Sequence, residues 1–133
     1  MHPRCDDGTM PADDPLLRFS KMLAEALEEM GGDLHKCANL RAPLTRMGFT
    51  NIQLVKKKVP IGTWDARHRV AGKFLQESMI DFIPAATGKL FEMLGIGENE
   101  RALWAAHTRK AMLDKKVHRY YNFYFWTAQK PAS

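Results

Sequence analysis

The chain has few cysteines, no long apolar run and no recurring histidine spacing, and each absence excludes a class of protein. Cys5 and Cys37 are the only cysteines in 133 residues, and they form no CxxC motif. With no secretory apolar segment, this favours a reduced intracellular compartment, cytoplasmic or nuclear. No apolar run approaches the roughly 20 residues of a membrane-spanning helix. No two histidines stand at i,i+4 spacing or in an HExxH motif, so we expect no metal site.

The charge balance is mildly basic, with a net charge of +5 and a pI near 9.4. The densest basic clusters, Lys56–Lys58 and Lys115–Lys116, are short, and the other basic residues are spread along the chain. Such a distribution indicates solvated surface lysines rather than a nucleic-acid interface. A weak, salt-sensitive nucleic-acid binder remains the alternative.

Apolar residues at helical spacing predict several helices. Asp14 followed by Pro15 is a helix start, and Gly31 ends the apolar stripe that follows it. Further helices are predicted near Asn39, after Asp65, around Leu90 and from Glu98 to Leu113. The helix predicted after Asp65 is expected to stop before Pro84. The last is expected to turn Leu103, Ala106 and either Met112 or Leu113 inward.

Two segments are predicted to be strands that pair antiparallel. Asn51–Pro60 becomes basic and ends in proline, which is how natural sheets protect an edge. Arg119–Gln129 is aromatic on both faces, which is typical of a strand inside a sheet. Because a central strand needs two neighbours, the chain is interpreted as the end of a larger α/β domain.

The missing neighbour predicts an exposed edge on the aromatic strand. Such an edge favours edge-to-edge self-association or aggregation. Replacing Phe123 with lysine is expected to improve solubility if that side chain is uncovered. Alternatively, a segment such as residues 1–9 covers the edge and the chain is a finished domain.

Several local sequences, in this order, resemble one group of class I S-adenosylmethionine-dependent methyltransferases. The group comprises fungal methyltransferases that are similar to trans-aconitate methyltransferase and to the global regulator of secondary metabolism. The matching segments are Asp6–Thr9, Asp14–Lys21, Gly48–Ile52, Val59–Trp64 and Ala128–Pro131. The likeness extends over essentially the whole chain. It implies an α/β fold: the C-terminal portion of a Rossmann-like methyltransferase, with several helices and a two-stranded antiparallel remnant of the sheet.

The resemblance also implies what residues 1–133 lack. In the family an N-terminal half holds S-adenosylmethionine with a glycine-rich turn after a strand and an acidic residue on the ribose. Gly95–Gly97 follows no predicted strand and lacks the third glycine. We therefore expect no cofactor-binding residues, no S-adenosylmethionine binding by this chain alone, and a fragment of a methyltransferase whose acceptor is unidentified. A non-enzymatic interaction module derived from the fold is the rival hypothesis.

No catalytic signature stands out, but a few polar and aromatic residues are candidates for contact with a methyl acceptor. Asp6, Asp7 and Thr9 follow the position of the family's fifth strand, although an Asp-Gly turn explains them almost as well. Trp64 follows a turn and either covers a pocket or packs on the sheet. His118 is a candidate base, and Tyr120 presents its hydroxyl either to the acceptor or to the core.

Overall fold

The computed structural model describes residues 2–132, and this part of the chain contains five α-helices and two antiparallel strands. The helices are α1 Pro15–Glu29, α2 Arg41–Arg46, α3 Arg69–Ala85, α4 Phe91–Met93 and α5 Glu98–Leu113. The strands are β1 Thr50–Pro60 and β2 Tyr120–Gln129. The predicted fold class, α/β with several helices and a two-stranded antiparallel sheet, is confirmed.

Helix α1 begins as the sequence predicted. The Asp14 carboxylate accepts hydrogen bonds from the backbone N–H of Leu16 at 3.1 Å and of Leu17 at 3.2 Å. Pro15 occupies the first helical position, where its missing N–H costs nothing. The helix ends before Gly31, which adopts a φ of 79° that side chains other than glycine's rarely accept.

The predicted strand pairing is also confirmed. β1 and β2 run antiparallel, with Pro60 opposite Tyr120 and Val55 opposite Phe125. The register shifts between Thr50 and Gln53, where Asn51 has a φ of 47°. Asparagine is one of the few residues that adopts this conformation readily, so the irregularity sits at a residue suited to it.

The second edge of β2 is covered at one end. Arg4 forms an isolated antiparallel bridge with Tyr120, and their backbone groups exchange two hydrogen bonds of 2.9 Å. The amino-terminal segment thus pairs with the start of the aromatic strand. Within residues 2–132 this is the only bridge outside the two named strands.

The prediction that α3 stops before Pro84 is wrong. The helix includes Pro84 and continues into a π-helical turn, Ala86–Leu90. Proline removes one backbone donor, but Ile83 and Ala86 on either side of it are buried at 2% and 0% exposure. The gain from burying this apolar face outweighs the loss of one hydrogen bond near the helix end.

Helix α5 has the predicted bounds but a different inward face. Leu103, Ala106 and Leu113 are exposed, whereas Met112 is buried. Trp104 meets the Phe91 ring edge-on, with centroids 6.2 Å apart. An indole buries more apolar surface than a leucine side chain does. Trp104, and not Leu103, therefore determines which face of α5 turns toward the core.

The core lies between one face of the sheet and the helices. Its fully buried members are Leu16, Phe19, Ile61, Ile83, Ala86, Phe91, Met112 and Tyr121. Phe123 packs against this cluster. Its side chain is therefore covered, so the condition under which replacing it with lysine would improve solubility is not met. The exposed aromatic side chain of β2 is Phe125, at 54%.

A buried ion pair joins three elements at the edge of this core. Asp14 is 0% exposed and Arg119 is 3% exposed, and the guanidinium Nε lies 3.0 and 3.2 Å from the two carboxylate oxygens. Arg119 Nη1 also donates to the carbonyl of Ala111 at 2.6 Å. The pair therefore links the start of α1, the end of α5 and the residue before β2.

Replacing Asp14 with alanine should strongly destabilise the protein, because it leaves the Arg119 guanidinium buried without a counter-charge and removes the α1 cap. We expect a loss of about 3–5 kcal/mol in the free energy of unfolding. Urea denaturation followed by circular dichroism measures it. Replacing the exposed neighbour Asp13 with alanine is the control, expected to change stability by less than about 0.5 kcal/mol. Equal effects at both positions would contradict the role of the pair.

A second tight contact fixes the turn after β1. The backbone N–H of Gly62 donates to the carbonyl of Gly72 in α3 at 2.9 Å, and Gly62 has a φ of 89°. A Cβ on Gly72 would lie 2.0 Å from the Gly62 carbonyl oxygen. Only glycine at position 72 lets the helix approach the turn this closely.

The Gly72→Ala variant should therefore lose about 1–3 kcal/mol of stability, because the turn or the helix must move apart. The Gly88→Ala variant is the control, since a Cβ there meets no atom within 4 Å. Chemical denaturation of both proteins provides the comparison. A Gly72→Ala protein as stable as the unaltered chain would show that the contact is looser than described.

Candidate functional site

Three separate chain segments meet beyond the carboxyl end of β1. They are the amino-terminal turn around residues 5–9, the turn and helix start at residues 58–68, and the corner at residues 117–120 that leads into β2. In open α/β sheets, ligands gather beyond the carboxyl ends of strands. The position of this junction makes it the candidate functional site.

The Asp7 carboxylate is the centre of the first segment. Its Oδ1 atom accepts hydrogen bonds from the Cys5 thiol at 3.1 Å, and from the Thr9 backbone N–H and hydroxyl at 3.1 and 2.8 Å. Its Oδ2 atom lies 2.5 Å from Nδ1 of His118. The Cys5 thiol, His118 and Thr9 hold the pKa of the Asp7 carboxyl well below its ordinary value. Asp7 is therefore an ionised acceptor at neutral pH.

His118 is held on three sides. Its backbone N–H donates to the Thr9 hydroxyl at 2.9 Å, and its Nδ1 faces the Asp7 carboxylate. Its ring stacks on the Trp64 indole with centroids 4.8 Å apart and planes inclined by 22°. The carboxylate fixes Nδ1 as the protonated nitrogen and leaves Nε2 as the basic atom of the ring.

Trp64 is fixed by the chain that follows His118. Its indole Nε1–H donates to the backbone carbonyl of Arg119 at 2.9 Å. The side chain is half-buried. Part of the ring system stacks on His118, and another part faces outward. Trp64 consequently forms a rigid wall at the site.

A second carboxylate, Asp6, binds the start of β2. The Tyr120 hydroxyl donates to Asp6 Oδ1 at 2.6 Å, and Lys58 forms an ion pair with Oδ2. The Lys58 ammonium also lies 3.9 Å from the centroid of the Tyr120 ring. The ion pair with Lys58 lowers the Asp6 pKa and raises the Lys58 pKa, and the hydrogen bond to Asp6 raises the Tyr120 pKa.

An open cavity of about 360 Å³ adjoins the wall formed by Trp64. It is lined by Lys58, Pro60, Trp64, Asp65, Ala66, Arg67 and His68. Asp65 accepts from the Arg67 N–H at 3.0 Å, and its Oδ2 atom lies 2.9 Å from the His68 ring nitrogen Nδ1. These two contacts, with His68 the stronger, lower the Asp65 pKa. The cavity is large enough for a small organic molecule and has a cationic rim.

The structure brings all of the sequence-predicted candidates into this one cluster: Asp6, Asp7, Thr9, Trp64, His118 and Tyr120. Tyr120 is 6% exposed, and its hydroxyl is already bonded to Asp6, so its contact with a ligand is limited. Tyr121 belongs to the core, and burial raises its pKa to about 12.

Sequence reasoning missed two members of the cluster. Lys58 was interpreted as protection of a strand edge or as part of a weak nucleic-acid contact, and Cys5 was given no role. The strand register pairs Lys58 with Asn122 and Pro60 with Tyr120, which makes Lys58 a diagonal neighbour of the Tyr120 ring. Nothing in the local sequence indicated that Cys5 would donate to Asp7.

Two kinds of feature are absent from the described residues. Among residues 2–132, no group of three or more His, Cys, Asp or Glu side chains is arranged to hold a metal ion. Over the same residues, no helix is both long enough and apolar enough to cross a membrane.

Comparison with curated proteins identifies relatives over nearly the entire chain. The secondary metabolism regulator LAE1 of Cochliobolus heterostrophus is 27% identical over 136 residues, covering 98% of this chain and 44% of that protein. The probable methyltransferase tdiE of Emericella nidulans is 24% identical, covering 96% of this chain and 41% of that protein. The secondary metabolism regulator laeA of Fusarium oxysporum is 24% identical over 98% of this chain.

The chain is similar, over nearly its whole length, to two fungal regulators of secondary metabolism and to a fungal protein described as a probable methyltransferase. The resemblance predicted from the sequence is thereby confirmed. The chain spans less than half the length of the curated relatives it matches. No family model and no solved structure matches it.

Methyltransferase relatives imply S-adenosylmethionine as the cofactor of the parent family, and the segment Gly95–Gly97 does not fit the turn that would bind it. Gly95–Gly97 connects α4 to α5, and Gly95 has a φ of 76°. The segment follows a helix and not a strand, so it does not form the turn that brings backbone close to a nucleotide. A Cβ on either glycine would meet no atom within 4 Å, so no cradle surrounds them.

The perturbed carboxyl of Asp7 gives a pH-dependent prediction. Because folding favours its ionised form, the stability it contributes is present above the ordinary pKa of 3.8 and is lost as the pH falls below that value. In a Thr9→Val variant, which removes one donor, the Asp7 pKa should rise toward 3.8. Carbon-detected NMR titration of the carboxyl measures it. Thr9→Ser, which keeps the hydroxyl, should leave the pKa low; an Asp7 that titrates normally in the unaltered chain would contradict the geometry.

Proposed function

We propose that residues 1–133 form the acceptor-binding, C-terminal part of an S-adenosylmethionine-dependent methyltransferase, with the cofactor site supplied by residues outside this chain. The observation that supports this best is that Asp7, Trp64 and His118, which are far apart in sequence, contact one another, and that Trp64 also lines an open cavity. Relatives described as a probable methyltransferase and as secondary metabolism regulators agree with the proposal. The acceptor is a small molecule or a protein side chain.

In this proposal His118 acts as the general base. A carboxylate behind Nδ1 stabilises the imidazolium that forms when Nε2 takes a proton, so Asp7 supports proton transfer from a hydroxyl, carboxyl or amine. The fixed ring orientation also means that little rearrangement is needed when the acceptor arrives. Deprotonation prepares the acceptor atom for attack on an electrophile.

Trp64 provides the surface on which the acceptor rests. Its indole is fixed by the hydrogen bond to the carbonyl of Arg119 and by stacking on His118. A flat ligand can therefore bind against the indole in the adjoining cavity, while Lys58 and Arg67 at its rim favour a partly anionic molecule.

The proposal can be tested by ligand binding, without turnover. Phenol, benzoate and aniline serve as probes, because they combine a flat ring with a hydroxyl, carboxylate or amine. We expect NMR shifts on the Trp64 indole and the His118 ring, and a Trp64→Leu variant should lose the shifts on the His118 ring. Trp126→Phe is the control, because Trp126 lies elsewhere and donates to the carbonyl of Cys37. Calorimetry with S-adenosylmethionine alone should give no measurable heat.

Two results would contradict the proposal. One is the absence of probe shifts at Trp64 and His118 in a folded chain. The other is micromolar affinity for S-adenosylmethionine, about 8 kcal/mol, which would place a cofactor site within these residues.

The rival function is a non-enzymatic interaction module. It is favoured by the open second edge of β2 and by Val70 and Phe74 on α3, which are 81% and 73% exposed. In that case the cluster around Asp7 serves only to fasten the amino-terminal turn to the corner before β2. Probe binding at Trp64 separates the two functions.

A further inference from the structure

A second, smaller cavity lies between the sheet and the segment that follows α1. Its volume is about 140 Å³, which corresponds to about four or five water molecules at about 30 Å³ each. It is lined by His2 and Arg4 from the amino-terminal segment, by Asn122 and Tyr124 from β2, and by four residues between positions 34 and 38. None of these residues belongs to the cluster around Asp7 and His118.

The cavity lies over one face of the sheet and not along the edge of β2. The pairing of Arg4 with Tyr120 puts their side chains on the same face. Because side chains alternate along a strand, the lining residues of β2, at positions 122 and 124, share this face. The segment 34–38 reaches it too, since the Trp126 indole donates to the Cys37 carbonyl at 2.8 Å. A further strand beside β2 would therefore border the cavity without filling it.

Basic side chains surround the cavity, and no carboxylate lines it. Arg4 forms part of its wall, and the rings of His2 and His35 stand beside each other with centroids 5.2 Å apart. Over residues 2–132, none of these three side chains forms an ion pair with Asp or Glu. The Asp33 carboxylate is bonded to the backbone N–H of His35 at 2.7 Å and is not a lining group. The cavity thus has positive charge without a counter-charge.

The state of His2 reflects this excess of positive charge. Burial lowers the pKa of His2, and the charges of His35, Lys21 and Arg4 lower it further. The Nδ1 atom of His2 is also enclosed without a hydrogen-bond partner among the described residues. A buried nitrogen without a partner costs free energy, as does the repulsion between like charges. An anion bound beside these groups would offset the repulsion.

We propose that this cavity binds a phosphate or sulfate group, either as the free ion or as part of a small ester. A carboxylate needs only one arginine, in a bidentate pair, whereas Arg4 and two imidazoles suit an ion with several acceptor oxygens. The side chains of Asn122 and Tyr124 add neutral donors to the same wall. A tetrahedral oxyanion also has about as many heavy atoms as the cavity holds water molecules.

Titration with sulfate at constant ionic strength tests the proposal, followed by NMR. We expect saturable shifts at His2 and His35 in the millimolar range. Arg4→Gln should weaken binding by about tenfold, because it removes a charged donor, and the fold uses only the backbone of this residue. Arg109→Gln, an exposed change on α5, removes the same charge elsewhere and should weaken binding by less than about twofold. Equal weakening by the two variants would show that sulfate responds only to net charge and would overturn the proposal.

The His2 ring provides a second readout. Because a bound anion offsets the neighbouring positive charges, sulfate should raise the pKa of His2 toward its ordinary value of 6.5. By linkage, sulfate should then bind more tightly as the pH falls through that range. Sulfate itself keeps both charges there, so the change belongs to the protein. A His2 pKa that stays the same at saturating sulfate would contradict the proposed site.

Inorganic phosphate and phenyl phosphate distinguish the free ion from an ester. Binding of phenyl phosphate that is about tenfold tighter, with shifts on the Tyr124 ring, would assign an ester as the ligand. Equal affinities would assign the free ion. Chloride that competes as well as sulfate at the same ionic strength would overturn both assignments. Sulfate has no ring to rest on Trp64, so this inference and the proposed function can fail separately.

Discussion

The ion pair between Asp14 and Arg119 is the interaction on which the rest of the structure depends. It joins the start of α1, the end of α5 and the entry to β2, and both of its side chains are buried. The same arginine supplies the carbonyl that holds Trp64, and it is flanked by the two residues that bind the amino-terminal carboxylates. Since a buried charge needs its partner, this pair determines where α1, α5 and β2 meet and hence where the site forms.

Most of the fold could be predicted because its signals are local. Asp14 followed by Pro15 is enough to predict the start of α1. The lysines and the terminal proline of β1 are enough to predict an edge strand. The errors occurred where packing overrides a local rule. Pro84 remains helical because its neighbours are buried, and α5 is rotated by Trp104, whose contact with Phe91 no periodicity reveals.

The candidate site was predictable as a set of residues but not as a set of interactions. Its members could be chosen because polar and aromatic residues after strands are suited to binding. Which of these side chains bond to one another could not be predicted, because Asp7 and His118 are separated by 111 positions and Asp6 and Tyr120 by 114. Local sequence carries no information about which carboxylate meets which partner. The role of Lys58 depends on the same kind of long-range contact, since Asp6 is 52 positions away, whereas Cys5 donates to Asp7 only two positions along the chain.

The two ends of β2 have opposite physical characters, and this bears on how the chain can work. At Tyr120 every polar group is engaged, by Arg4 on the backbone and by Asp6 on the hydroxyl. Beyond Tyr120 the strand is neutral and aromatic, and Asn122 and Tyr124 border a cavity that is also lined by His2, Arg4 and Leu34. Tyr120 thus stands between the residues around His118 and the neutral part of the strand, because its backbone and its hydroxyl fasten the amino-terminal segment to the start of β2.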